Sequence, residues 1–317
     1  MANPSAGFIG IAHLQATTGV LADLYLRCSD MNITPTQKAL YYDHVIGLRD
    51  TIPSNSDTKG EITNSSLAIN TQKKFWRAST IKYSGSLTYP AIVYDDCSGC
   101  QTNTLQKVFD IAKYGTYFNI TLYYNCDNDN GNLKGRKFTD CRIDNYSFTS
   151  TVGDVITINI EVVASDVVDT QMSVSDAIYS NIERFITWET MNLTVSGGGG
   201  VSAPVDPGFS IPSDLIQSFD FNVANNINII YTQEKLKPKD LRVGMQEVTG
   251  SLVLYNKKGT NIMPYDTLIS PFYINVQTVC SFDETIRCVF EPSSIPGSTT
   301  TILSTIPFSG VDKALGA

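Results

Sequence analysis

The chain has 317 residues, a formal net charge of −8 at neutral pH, and only 17% charged residues against 42% hydrophobic ones. That hydrophobic share argues against a disordered chain, and the acidic balance argues against the basic footprint of a sequence-reading DNA binder. No apolar run approaches the roughly 20 residues that span a bilayer as a helix, and residues 1–7 carry neither the basic nor the apolar part of a secretory signal.

With so few charges, the surface must be made largely of Asn, Ser and Thr, which suits a β-rich structural protein with extensive contacts. In chain order, residues 41–60 form a polar insert around Ile52-Pro53, and inserts of that length are usually functional or ordered by a neighbour. Residues 82–89 alternate as a strand does. Residues 104–115 give the one clear helix: Thr104 opens it, Gly115 closes it, and Leu105, Val108, Phe109 and Ala112 share one face. Residues 117–124 are a strand. Asp127-Asn128-Asp129-Asn130-Gly131 has the start of a calcium loop, but Phe138 stands where the closing Glu belongs, so a hairpin turn is expected. Residues 142–149 and the β-branched run 155–163 form a hairpin around Gly153-Asp154. Residues 166–177 are expected to be a linker, and 195–212, with Gly197 to Gly200, a flexible loop.

The two halves echo each other. Gly85-Ser86-Leu87 returns as Gly250-Ser251-Leu252, residues 30–34 as 190–194, 66–70 as 218–222, 117–121 as 272–276, and Cys141-Arg142-Ile143 as Cys288-Val289-Phe290. Matches in one order indicate an internal duplication, a common way to build a symmetric object.

Chemistry-bearing motifs are sparse. The seven cysteines include one Cys97-Ser98-Gly99-Cys100 pair with no second knuckle, so no metal site is expected. Cys28, Cys280 and Cys288 read as small hydrophobes on strands. His13 and His44, the two histidines, sit in no metalloprotease or nucleophile motif, and no glycine-rich phosphate cradle joins a strand to a helix. A non-catalytic protein without cofactors is expected.

The second half carries 216–226, ending in Asn225-Asn226, then 236–241, then Val243 to Tyr255 with Glu247-Val248-Thr249-Gly250-Ser251, and a closing segment 290–310. This pattern resembles the tail tube proteins of long-tailed bacteriophages over most of 180–312, and more weakly over 20–165. The resemblance implies a mainly β chain of two tandem β-sandwich or half-barrel domains of tail-tube type, 1–168 and 178–317, with one short helix in the first. The second half has only 264–271 where that helix would stand. The resemblance further implies a virion tail protein, assembled in the host cytoplasm into stacked pseudo-hexameric rings around a lumen for DNA. Three chains would complete a ring of six domains, or six if one domain sits outside the tube. Closing sheets across subunits removes exposed edges.

Lumen-facing candidates are the polar members of alternating strands: Asn119, Thr121, Asn159, Glu161, Asn275 and Gln277. An uncharged or acidic lumen would let phosphate pass. Candidate inter-ring contacts lie in the long loops, at Asp50, Pro53, Gly197, Gly200 and Pro204. Partners would be the chain itself, other tail proteins such as sheath, hub or terminator, and genomic DNA in passage without sequence-specific binding. Two other readings are a tail-tip hub of the same duplicated fold, and a secreted binding module glycosylated at sites such as Asn32, Asn119 and Asn192.

Overall fold

The computed structural model describes residues 10–16, 24–42, 75–95, 101–124, 132–173, 183–197, 210–232, 235–256, 271–278, 282–291, 302–311 and 315. The first half supplies strands β1 (Gly10–Ala16), β2 (Leu24–Cys28), β3 (Asp30–Tyr42), β4 (Phe75–Pro90), β5 (Ile92–Asp95) and β6 (Gln101–Asn103). Helix α1 (Thr104–Tyr114) follows, then β7 (Phe118–Tyr124), β8 (Asn132–Thr151), β9 (Thr157–Ala164) and β10 (Asp166–Ser173). The second half supplies β11 (Glu183–Phe185), β12 (Met191–Gly197), β13 (Ser210–Ile211), β14 (Ile216–Ala224) and β15 (Asn228–Thr232). It ends with β16 (Lys235–Arg242), β17 (Glu247–Asn256), β18 (Phe272–Thr278), β19 (Asp283–Phe290) and β20 (Ile302–Gly310).

Most of these strands form one antiparallel sheet. In the first half the pairing runs β2-β1-β7-β8-β9-β4-β3, and in the second β13-β12-β18-β19-β20-β17-β14. Taken in chain order, the same connection pattern occurs twice. The two sets are joined edge to side, because β14 pairs with the C-terminal half of β8 from Ser218 opposite Thr151 to Ala224 opposite Asn145. The main sheet and one large buried cluster both run through the two halves.

The register corrects part of the echo. Gly85 lies opposite Ile33 and Val162, and Gly250 opposite Phe221 and Phe308, so β3 stands where β14 stands. Residues 30–34 therefore answer to 218–222, not to 190–194; residues 66–70 lie outside the described residues. Phe118 opposite Cys141 matches Phe272 opposite Cys288, which keeps the cysteine echo and moves the 117–121 echo by one residue. The paired glycines have a packing reason. Cβ atoms would run into the Asn32 carbonyl oxygen at Gly85, and into the Asp220 carbonyl oxygen and Phe308 ring at Gly250.

Helix α1 forms as expected, with one correction at its start. Asn103, not Thr104, is the N-cap: its side chain accepts hydrogen bonds from the Leu105 and Gln106 N–H groups. Gly115 ends it in the left-handed region, at φ 55°. The hairpin of β8 and β9 also forms, although β9 begins at Thr157 and Val155 only bridges to Thr187. Residues read as linker begin as β10, which pairs with β8 from Asp166 opposite Thr139 to Ser173 opposite Asn132. The segments 97–100, 125–131 and 257–270 lie outside the described residues, and with them the CxxC pair, the Asp/Asn-rich turn and most of 264–271.

Candidate assembly and lumen surfaces

Directly opposed residues in a sheet share a face, so the registers define what each face presents. One face carries the core. Tyr89, Ile158, Phe148 and Phe221 lie in one cross-strand row, all buried, ending through Gly250 at Phe308. Phe109 of α1 packs on this side, with ring centroids 5.6 Å from Tyr146, 5.9 Å from Phe221 and 5.6 Å from Phe282. The helix thus covers the seam between the halves.

The opposite face is polar. Asp30, Thr88, Asn159, Ser147, Asn222, Thr249 and Ser309 form one row through β3, β4, β9, β8, β14, β17 and β20. The row on one side is Asn32, Ser86, Glu161, Asn145, Ala224 and Glu247; on the other it is Pro90, Thr157, Thr149, Asp220, Ser251 and Pro307. These three rows contain four carboxylates and no Lys or Arg. Neighbours hold each other in place: the Thr88 hydroxyl donates to Asn159 Oδ1 at 3.2 Å, Asn222 Nδ2 to Thr249 Oγ1 at 3.4 Å, and the Ser251 hydroxyl to Asp220 Oδ2 at 3.2 Å.

Of the six lumen candidates, Asn159 and Glu161 sit in these rows. Asn275 and Gln277 lie on the same side of the second-half sheet, opposite Thr285 and Asp283, with Asn275 Nδ2 donating to both. Asn119 and Thr121 lie on the non-core side of β7, separated from the rows by bulges in β7 and β8. Asn119 accepts from the Asp140 N–H at 3.1 Å. Thr121 is 2% exposed, between His13 and Lys137 in register, and this burial removes it from the open surface of the chain. Among the loop candidates, Gly197 is the last residue of β12, opposite Phe272; Asp50, Pro53, Gly200 and Pro204 lie outside the described residues.

The seam is fixed by polar groups that sequence reasoning did not single out for this role. Asn225 is fully buried. Its Nδ2 donates to the Ala112 carbonyl at the end of α1 and to the Ile143 carbonyl of β8, both at 2.9 Å, and its Oδ1 accepts from Gln246 Nε2 at 2.9 Å. Its own N–H donates to the Asp144 carbonyl, and its carbonyl accepts from the Gly244 N–H. Asn226, at φ 48°, takes the left-handed turn that follows. The Asn-Asn pair was visible as a motif, but its partners lie far along the chain.

Further ties cross the same seam. Lys113 of α1 meets Glu284 of β19 at 2.8 Å, both side chains 13% exposed. The Tyr117 hydroxyl lies 2.7 Å from both Asp240 Oδ1 and the Leu241 carbonyl oxygen. That contact, with Arg242 beside it, holds the Asp240 carboxyl below the usual range. Burial alone would raise Asp166, but hydrogen bonds from Lys237 and the Val167 N–H outweigh it and lower its pKa.

Burial pushes the Cys28 and Cys288 thiols up to about 12 and raises Cys141 as well, so these cysteines stay protonated packing groups at neutral pH. Cys280 lies outside the described residues. Among the described residues no group of three His, Cys, Asp or Glu side chains could hold a metal ion, and no helix is long and apolar enough to cross a membrane.

Comparison with known proteins gives one family. A family model described as "Phage tail tube protein" matches residues 22–308. No curated protein matches the sequence. A chain in a cryo-EM structure of the anti-feeding prophage (AFP) baseplate, six-fold symmetrised, is similar at 9% identity. The similarity spans 55% of this chain and 99% of that one, and its TM-score of 0.34 is too low to carry an argument.

Proposed function

Because the chain belongs to the phage tail tube protein family, we propose that it is a structural subunit whose copies form stacked pseudo-hexameric rings around a lumen for DNA. Membership implies a place in the virion tail and a structural part rather than a catalytic one. In the finer reading, the two repeats of strand order act as two tube-type units, divided near 168–178, and three chains supply six units to a ring. Other tail proteins, such as a sheath, hub or terminator, would meet the outside and ends of the tube.

The observation that carries this reading is the polar face that continues across the seam. A conduit must not hold DNA, and every amine that neutralises a phosphate adds affinity through counterion release. Three rows with carboxylates, hydroxyls and amides and no amine offer passing phosphates no such partner. Helix α1, on the opposite face, would then lie away from the lumen, and the segments around residues 50–53 and 197–204 would make contacts between rings.

Negative-stain electron microscopy of the purified chain over a concentration series tests the reading. Long hollow tubes with a regular ring repeat are the expected result. Rings that never stack would indicate a tail-tip hub, and monomers at every concentration would refute self-assembly.

A further inference from the structure

The two repeats of strand order differ at their ends. Gly85 pairs with Val162 as Gly250 pairs with Phe308, which aligns β4 with β17 residue by residue. Five residues past the glycines, on the polar face, stand the cross-strand pairs Pro90–Thr157 in the first set and Tyr255–Leu303 in the second. The second pair is large and apolar, and its members are 41% and 47% exposed. Five residues before the glycines stand Thr80 in the first set and Met245 in the second, and Met245 is 80% exposed. Val243, against which Gly115 lies at the end of α1, and Tyr114, next to that glycine in the chain, are exposed as well.

Met245 and Tyr255 thus mark opposite ends of β17, roughly 30 Å apart. The two ends also differ in charge. At the Tyr255 end lie the start of β14, whose Gln217 carbonyl accepts from the Val152 N–H, and the turn after β8, whose Asp154 carbonyl accepts from the Trp188 N–H. Residues 150–157, 186–190, 213–218, 253–256 and 302–305 there carry Asp154, Glu189 and Asp214, all exposed, and no Lys or Arg. At the other end β16, which leads into Met245, presents Lys237, Lys239 and Arg242 against Asp240 and Glu247. Lys237 and Arg242 remain 50% and 71% exposed within their ion pairs. Each end of the chain therefore joins an apolar patch to charge, acidic at one end and amine-bearing at the other.

We propose that these two ends meet between rings and fix the rotational register of one ring on the next. Tyr255 and Leu303 of one copy pack on Met245 and Val243 of a second copy in the adjoining ring, with Asp154, Glu189 and Asp214 toward the amines of β16. The contact is head-to-tail, so it repeats along the axis. A ring of six similar units can sit on the next in two registers one unit apart, with second set over second set or second set over first. In the latter, Tyr255 and Leu303 meet Thr80 and Lys82, and Met245 meets Pro90 and Thr157, so the apolar surface stays unmatched. Only the second set carries the apolar pair, so the contact forms once per chain and selects one register by the difference between the two. This inference rests on the stacked-ring assembly proposed above and assigns its axial interface.

The test mixes full-length single variants under assembly conditions and treats them with a short bismaleimide. One mixture is Leu303→Cys with Met245→Cys, and the other is Leu303→Cys with Thr80→Cys, which reads the alternative register. All three positions are exposed, and residues 245 and 303 lie at opposite ends of the chain, so a link between them reports contact between rings. The expected result is covalent dimer in the first mixture, several-fold above both the second mixture and the wild-type chain, which reports its native cysteines. Electron microscopy of the same samples separates the outcomes. Tubes in which the second mixture links as well as the first would overturn the register, and tubes with neither link would overturn this interface; both leave ring assembly standing. Monomers throughout would overturn the assembly and this inference together.

Discussion

Replacing Asn225 by alanine would take from the Ala112 and Ile143 carbonyls and the Gln246 amide the buried partner they now share. Stranding buried polar groups costs about 1–3 kcal/mol each where water cannot reach, and relaxation recovers some of it. Asn225→Ala should therefore lower unfolding stability by about 2–3 kcal/mol, read as a fall in the urea midpoint with an unchanged slope. Gly250→Ala should cost a similar amount, about 1–3 kcal/mol, because the added methyl meets backbone at Asp220 and the Phe308 ring; an unchanged midpoint would contradict the packing described. Both residues were legible as motifs, in Asn-Asn and Gly-Ser-Leu. Their roles were not, because those roles depend on partners such as Ala112, 113 residues away, and no local pattern encodes that distance. Thr121 was legible only as the polar member of an alternating strand; that it lies buried between His13 of β1 and Lys137 of β8 has no local signal.

Helix α1 was the most legible element, since its apolar stripe and closing glycine are local signals. Phe109 is its anchor at the seam, and Phe109→Ala should cost about 3–5 kcal/mol and raise the fluorescence of an apolar dye if the two halves loosen. The β10 segment was read as a linker because Asp166–Ser173 has no apolar period. It is a strand because backbone pairing along β8 holds it, a tertiary cause. The β15–β16 hairpin is docked by carboxylates, and this gives it a pH dependence. The Asp240 and Asp166 carboxyls are lowered in the folded state. Their contribution is full above the unfolded carboxylate value of about 3.9 and is lost as pH falls through the lower folded values. The Asp166 and Asp240 side chains are 37% and 35% exposed, so solvent screens both contacts and the effect is small. Lys237→Met should flatten the acid limb of stability against pH and leave the slope near pH 7 unchanged; an unaltered acid limb would show that the Asp166 contact contributes nothing.

For the whole molecule, duplication was legible in the sequence but its geometry was not. The echo of 30–34 was assigned to the wrong strand because short polar-apolar alternations resemble one another, and only pairing register separates them. The register also shows how few charges line the polar face, which composition could only suggest. Placing Lys at Asn159 and Asn222 should leave assembly intact and give the tubes a salt-dependent affinity for short duplex DNA, absent in the wild type and measurable by filter binding. Salt-independent or undetectable binding by this variant would argue that the face is not accessible to DNA. The most direct test of the account is a cryo-EM reconstruction of the assembled protein. The expected result is a ring whose lumen is lined by the row from Asp30 to Ser309, with α1 on the outside. A ring with that row facing outward, or with α1 lining the channel, would contradict it.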